Sequence, residues 1–133
     1  MTGPRQVFIA GCGDIGARVA SLWREKGANV LALARSEVAA ARLSRSGIEP
    51  VRGDLDDPAS LKTSPVKGRL LYYLAPPPET GETDPRARAF LAALPRGEEP
   101  AKAIYMSTTA VYGDNGGAWV TEETPPAPAS SRG

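Results

Sequence analysis

Residues 7–16 read Val-Phe-Ile-Ala-Gly-Cys-Gly-Asp-Ile-Gly. An apolar run (Val7, Phe8, Ile9, Ala10) breaks directly into G-x-G-x-x-G, and a helix-period pattern follows. The junction is restrictive because a strand must turn at once into a helix, and each glycine meets a different steric demand of that turn. Gly11 permits the tight turn, Gly13 leaves the backbone open to a pyrophosphate, and Gly16 lets the helix lie close on the strand. Asp14 and Ile15 fall in the first helical turn, whose unpaired N–H groups and positive dipole end favour an anion. Gly11, Gly13, Asp14, Ile15 and Gly16 are therefore candidate cofactor-binding residues. The competing reading is a glycine-rich turn that binds nothing.

The remaining chain repeats the alternation. Strands are expected at Gln6–Ala10, Val30–Ala34, Ile48–Val51, Leu70–Ala75 and Ala103–Met106. Between them, Asp14–Lys26 places Ile15, Val19, Leu22 and Trp23 on one helical face, with Gly27 as its stop. Glu37–Ser46 is a second helix closed by Gly47, and Asp57–Leu61 a single helical turn. Asp84 and Pro85 open a further helix as cap and first residue. Its apolar face is Ala87, Phe90, Leu91 and Leu94, and Pro95 ends it. Apolar runs alternating with helices predict an α/β domain, a doubly wound parallel sheet of about five strands. Right-handed crossovers make the expected order 3-2-1-4-5. Residues 1–121 read as this dinucleotide-binding domain, and 122–133 as a proline-rich, extended or disordered tail leading toward an absent C-terminal part.

Composition narrows the function. The chain has 133 residues, 41% hydrophobic and 23% charged, with a net charge of +1. Such a balance gives no electrostatic reason to bind nucleic acid or a membrane surface. The absence of histidine and the single cysteine, Cys12, argue against a metal site or a histidine-based triad. No apolar stretch approaches the ~20 residues of a membrane span. The N-terminus runs straight into a strand, so no signal peptide is expected, and one cysteine suits a reducing cytoplasm.

In a fold of this kind the end of the second strand reads the adenosine ribose. An acid there binds the 2′-hydroxyl of NAD, and an arginine accommodates the 2′-phosphate of NADP. This chain has Ala32-Leu33-Ala34-Arg35-Ser36. Arg35 and Ser36 can bond a phosphate at roughly 1.5–3 kcal/mol per charged hydrogen bond, a preference for NADP over NAD of about ten- to a hundredfold. The bland alternative is a solvated arginine at a strand end. The same arginine argues against a methyltransferase, which would want an acid at that point.

With Gly53-Asp54-Leu55-Asp56-Asp57 after the third strand, the pattern resembles the short-chain dehydrogenase/reductase superfamily, in its extended or atypical NAD(P)-dependent epimerase/dehydratase branch. The resemblance implies that Asp54 and Leu55 line an adenine pocket. A turn in which Asp57 caps the following helix is the alternative. Leu74, Ala75 and Pro76 match the family's segment along the ribose and nicotinamide, where a plain loop would serve equally well. Ser107-Thr108-Thr109-Ala110-Val111-Tyr112-Gly113 resembles the family's fifth-strand signature and puts Thr108 at its catalytic Ser/Thr position, with Ser107 as neighbour. Tyr112 is a second catalytic candidate by proximity.

The resemblance covers Val7 to Gly133, but only the N-terminal part of a typical family member. The family's Y-x-x-x-K acid/base pair is missing. Tyr72, Tyr73, Tyr105 and Tyr112 are followed four residues later by Pro76, Pro77, Thr109 and Gly116, and Arg132 stands where the tyrosine is expected. The glycine loop also departs from the branch's commoner G-x-x-G-x-x-G. Two functions remain in view: an oxidoreductase or epimerase acting on a carbonyl or sugar-like substrate, and a non-catalytic NADP-binding sensor or scaffold. With nothing after it, the fifth strand (Ala103, Ile104, Tyr105, Met106) would be an open apolar edge. A longer gene product, a homo-oligomer or the tail folding over would each cover it.

Overall fold

The computed structural model describes residues 5–130 and 133. The expectations at Met1–Pro4 and at Arg132 lie outside the described residues. The elements follow one another as β1 (Gln6–Ala10), α1 (Asp14–Glu25), β2 (Asn29–Ala34), α2 (Glu37–Arg45), β3 (Glu49–Arg52), a 3-10 turn (Pro58–Leu61), β4 (Leu70–Tyr73), α3 (Pro85–Ala93), β5 (Lys102–Tyr105) and a second 3-10 turn (Thr109–Tyr112). Among the described residues, five strands form one sheet in the order β3-β2-β1-β4-β5, every pairing parallel. This is the expected doubly wound, Rossmann-like topology, and it places β1 at the centre.

The two sides of β1 build two separate cores. Val7 and Ile9 pack with Val30, Ala32, Ala34, Leu43 and Ile48, and α1 lies on them through Ala20. Phe8 and Ala10 point the other way, into Leu31, Leu61, Val66, Leu71, Tyr73 and Phe90. Alternate side chains of one strand thus serve opposite layers. Ring contacts tie the second layer to α3: Phe90 lies 6.3 Å from Phe8 and 6.0 Å from Tyr73.

Several local expectations are corrected. Ile15 and Leu22 do not face the core; they are 52% and 59% exposed. The docked face of α1 is Gly16, Val19, Ala20 and Trp23. Close approach to the sheet selects the small residues Gly16 and Ala20, which a count of large apolar residues passes over. Leu91 of α3 is likewise exposed, while Phe90 carries the packing. β4 stops at Tyr73 rather than Ala75, although the Leu74 N–H still donates to the Ala10 carbonyl. Asp57 precedes the first 3-10 turn without a side-chain cap bond; the Ser60 hydroxyl ties that turn instead. The loop expected after β5 contains the second 3-10 turn.

Helix ends behave as their residues demand. Gly27 and Ala28 donate to Arg24 and Trp23, closing α1. Ser36 caps α2, its Oγ accepting from the Ala39 N–H at 3.1 Å, and Asp84 caps α3 by accepting from the Ala87 N–H at 3.1 Å. Residues 122–130 carry no helix or strand. That stretch is tied to the second 3-10 turn, where the Ala127 N–H donates to the Val111 carbonyl at 2.9 Å. β5 is the sheet's edge, with Tyr105 51% and Met106 49% exposed.

Candidate functional site

The glycine junction sits at the carboxyl end of the central strand, where the strand order reverses, the place at which open α/β sheets bind ligands. Gly11 has φ +92°, and a Cβ there would run into the backbone of Ala75, so the turn and the β4 exit are pressed together. Gly16 is close to the Gly11 carbonyl, at 3.0 Å from an added Cβ, and holds α1 against the turn. Gly13 differs from both: a Cβ added there would meet nothing within 4 Å. It is the N-cap of α1, and among the described residues no side chain caps that end. The helix therefore turns its positive end toward the open space beside Gly13. Arg42 steadies the loop by donating to the Cys12 carbonyl at 2.8 Å. Burial pushes the Cys12 thiol pKa up, against the lowering effect of Arg42. Asp14 is exposed and paired with Arg18 at 3.2 Å.

On one side of the Gly11–Ala75 contact lies a cleft of about 150 Å³. Its walls are Gly11, Leu33, Arg35, Gly53, Asp54, Leu55, Asp56 and Arg86. The structure thus brings together Arg35, Asp54 and Leu55, which are up to 20 residues apart in the chain. Leu33 and Leu55 supply apolar surface beside the charged groups. Asp54 is held in its turn, accepting from the Asp56 N–H at 2.9 Å, while its own N–H donates to Ser60. Ser36 spends its oxygen on the α2 cap and keeps its hydroxyl proton for an acceptor. Asp56 makes a two-pronged pair with Arg86, at 2.6 and 2.9 Å, and its carboxyl pKa is lowered chiefly by that hydrogen bond.

On the other side is a cavity of about 340 Å³, lined by Leu74–Pro77, Glu82–Asp84, Tyr105–Thr108 and Gly133. Leu74, Ala75 and Pro76 thus lie between the glycine turn and Thr108. Thr108 precedes the second 3-10 turn, and its Oγ1 accepts from the Ala110 N–H at 3.3 Å, which leaves its proton able to bond an oxygen in the cavity. Ser107 shares the wall. Tyr112 lies within that turn and does not line the cavity.

Sequence reasoning missed three groups. Asp84, expected only as a helix cap, also accepts from the Tyr105 hydroxyl at 2.7 Å and lines the cavity. That bond raises the Tyr105 pKa, because Asp84 favours the protonated phenol. Tyr105 stacks on Tyr73 at 5.8 Å, and the Tyr73 hydroxyl is buried with no hydrogen-bond partner among the described residues. Burial, then the Asp84 charge, pushes the Tyr73 pKa up. Arg86 is the third; nothing local signals that it would meet Asp56. Among the described residues no group of three or more His, Cys, Asp or Glu is placed to hold a metal ion. No helix among them is long and apolar enough to cross a membrane.

Comparisons with known proteins agree with this architecture. The family model of the TrkA-N domain matches residues 7–68, from β1 to the turn before β4. Among curated proteins, none matches the chain. Among solved structures, a proposed epimerase from Burkholderia cenocepacia J2315 is similar over 97% of this chain and 46% of its own, at 22% identity and TM-score 0.75. A UDP-glucose 4-epimerase of Thermus thermophilus, solved in complex with NAD, is similar over 96% of this chain and 46% of its own, at 22% identity and TM-score 0.72. A functionally unknown conserved protein from Silicibacter pomeroyi DSS is 25% identical over 96% of this chain and 43% of its own, at TM-score 0.68. The chain spans less than half the length of each of these three structures. Its fold is Rossmann-like, and it is similar to the N-terminal part of these longer solved structures.

Proposed function

We propose that this chain binds a dinucleotide across the sheet's switch point and prefers NADP to NAD. The observation that carries the reading is the open N-cap at Gly13, flanked by the Arg35 cleft on one side and the Thr108 cavity on the other. Gly11, Gly13, Asp14, Ile15 and Gly16 hold the pyrophosphate through backbone N–H groups. Asp54 and Leu55 take the adenine, and Arg35 and Ser36 the 2′-phosphate. Leu74, Ala75 and Pro76 run beside the nicotinamide half. When bound, the nicotinamide supplies or accepts a hydride. Thr108 orients a carbonyl or alcohol oxygen by hydrogen bonding, with Tyr112 as the further catalytic candidate. In a full-length form this is an oxidoreductase or epimerase acting on a carbonyl or sugar-like substrate. A second reading is a sensor or scaffold that binds NADP without turnover. The cytoplasm suits the reading, as a reducing compartment in which NADP and one buried thiol coexist.

Calorimetric titration of NADP and NAD tests it. NADP is expected to bind about ten- to a hundredfold tighter, the worth of one charged hydrogen-bond set. Arg35→Asp should weaken NADP and spare or improve NAD, by repulsion from the 2′-phosphate. Equal wild-type affinities would count against the preference, and no binding of either would end the reading.

The proposal includes a second copy pairing along the β5 edge, where Tyr105 and Met106 are exposed. Sedimentation should then give a dimer that Ile104→Pro, in β5, disrupts. A monomer at every concentration rules it out.

A further inference from the structure

Asp56 and Arg86 are charged groups of the small cleft that the NADP reading leaves without a role. The Asp56 carboxylate grips Arg86 through both oxygens, to Nε at 2.6 Å and to Nη2 at 2.9 Å, and Arg35 lines the same cleft. Two guanidinium groups from different elements, the end of β2 and the first turn of α3, thus converge on a cleft in which an anion is already present. A two-pronged guanidinium–carboxylate pair has the geometry of a guanidinium–phosphate pair. Asp56 thus meets Arg86 in the geometry that an anionic group of a ligand could adopt.

We propose that Arg86 and Arg35 together form the binding site for the 2′-phosphomonoester of NADP, and that Asp56 is a tethered anion which the phosphate displaces from Arg86. The inference rests on the dinucleotide reading above and adds a residue, and a competitor, to its specificity. Displacement is favourable on physical grounds. The Arg86 and Asp56 side chains are 34% and 54% exposed, so their pair is screened by solvent and weak. A phosphomonoester brings nearly two charges and three acceptor oxygens, enough to engage both arginines at once. NAD carries only an uncharged hydroxyl at the 2′ position, which does not displace the carboxylate, so Asp56 stays on Arg86 and the second arginine contributes nothing. Both the depressed Asp56 pKa and its sensitivity to Arg35 agree with a carboxylate lying in the field of both cations.

The test is calorimetry on the full chain with NADP, NAD, 2′,5′-ADP and 5′-ADP, comparing wild type with Asp56→Asn and Arg86→Gln. Both positions are at the surface, and unchanged thermal melts would verify that the variants are folded. Arg86→Gln should weaken NADP and 2′,5′-ADP by about tenfold or more, the scale of a lost charged hydrogen-bond pair, and leave NAD and 5′-ADP within about twofold. Asp56→Asn should do the reverse, tightening the two 2′-phosphorylated ligands by about two- to fivefold through loss of the competing charge. An Arg86→Gln loss equal for phosphorylated and unphosphorylated ligands would overturn the proposal, because Arg86 would then serve the pocket's shape. Unchanged or weaker NADP binding by Asp56→Asn would overturn it too. If wild type binds none of the four ligands, the dinucleotide reading fails first and this inference with it. If wild type binds and only the variants behave otherwise, the dinucleotide reading stands and this inference alone falls.

Discussion

Gly13→Val is expected to abolish dinucleotide binding and leave the fold standing, whereas Gly11→Val is expected to do its damage to the fold. The two glycines are two residues apart in one motif, yet their surroundings are opposite. At Gly13 a side chain meets open space in front of the α1 N-terminus, the space assigned to the pyrophosphate. The stability loss there is that of a poorer N-cap, about 1 kcal/mol. At Gly11 a valine would have to adopt φ +92° and overlap the Ala75 backbone. Backbone strain of about 1–3 kcal/mol and forced displacement of about 1–3 kcal/mol together reach a large share of the ~5–15 kcal/mol that holds a small domain folded. Thermal melts and calorimetry on both variants check this. Full binding by a folded Gly13→Val chain would remove the assigned phosphate site. An undiminished melting temperature for Gly11→Val would show that the β1 turn and the β4 exit can separate cheaply.

The second large effect concerns turnover. The 133-residue chain is expected to reduce carbonyl compounds with NADPH about 10²–10⁴-fold more slowly than a site equipped with a tuned acid, the typical contribution of general acid–base catalysis. Reduction places negative charge on the substrate oxygen, and a proton must reach it. Thr108 lines the cavity and can donate a hydrogen bond, but an alcohol is too weak an acid to surrender its proton there. Tyr105, the phenol in the cavity wall, is held protonated by its bond to Asp84, which makes it a poorer acid than free tyrosine. Arg132 could not serve in place of a tyrosine, since a guanidinium does not deprotonate in proteins. The measurement is NADPH consumption with a panel of carbonyl and nucleotide-sugar substrates. Brisk turnover that collapses on Thr108→Ala or Tyr112→Phe would show that these residues suffice and that the acid/base requirement is wrongly placed.

Much of this molecule was legible in its residues because the relevant forces are local. The apolar run Val7–Ala10 and the unbroken Val30–Ala34 could be stable only as strands covered on both faces. Asp84-Pro85 could start a helix where it stands, and the handedness of crossovers then left one natural strand order. The Gly11-Cys12-Gly13 turn was equally readable, since the steric need for glycine is a property of a few consecutive bonds. Tertiary structure decided what depends on where distant segments come to rest. Gly16 and Ala20, rather than Ile15 and Leu22, join Val19 and Trp23 on the face toward the sheet because α1 approaches closest where its side chains are small. Asp56 meets Arg86 across 30 positions of sequence, and Asp84 meets Tyr105 across 21, because α3 lays its first turn over the carboxyl ends of the strands. No periodicity encodes such pairings. They follow from the packing of Phe90 against Phe8 and Tyr73, which sets where α3 lies, and that packing exists only once both layers have closed on the sheet.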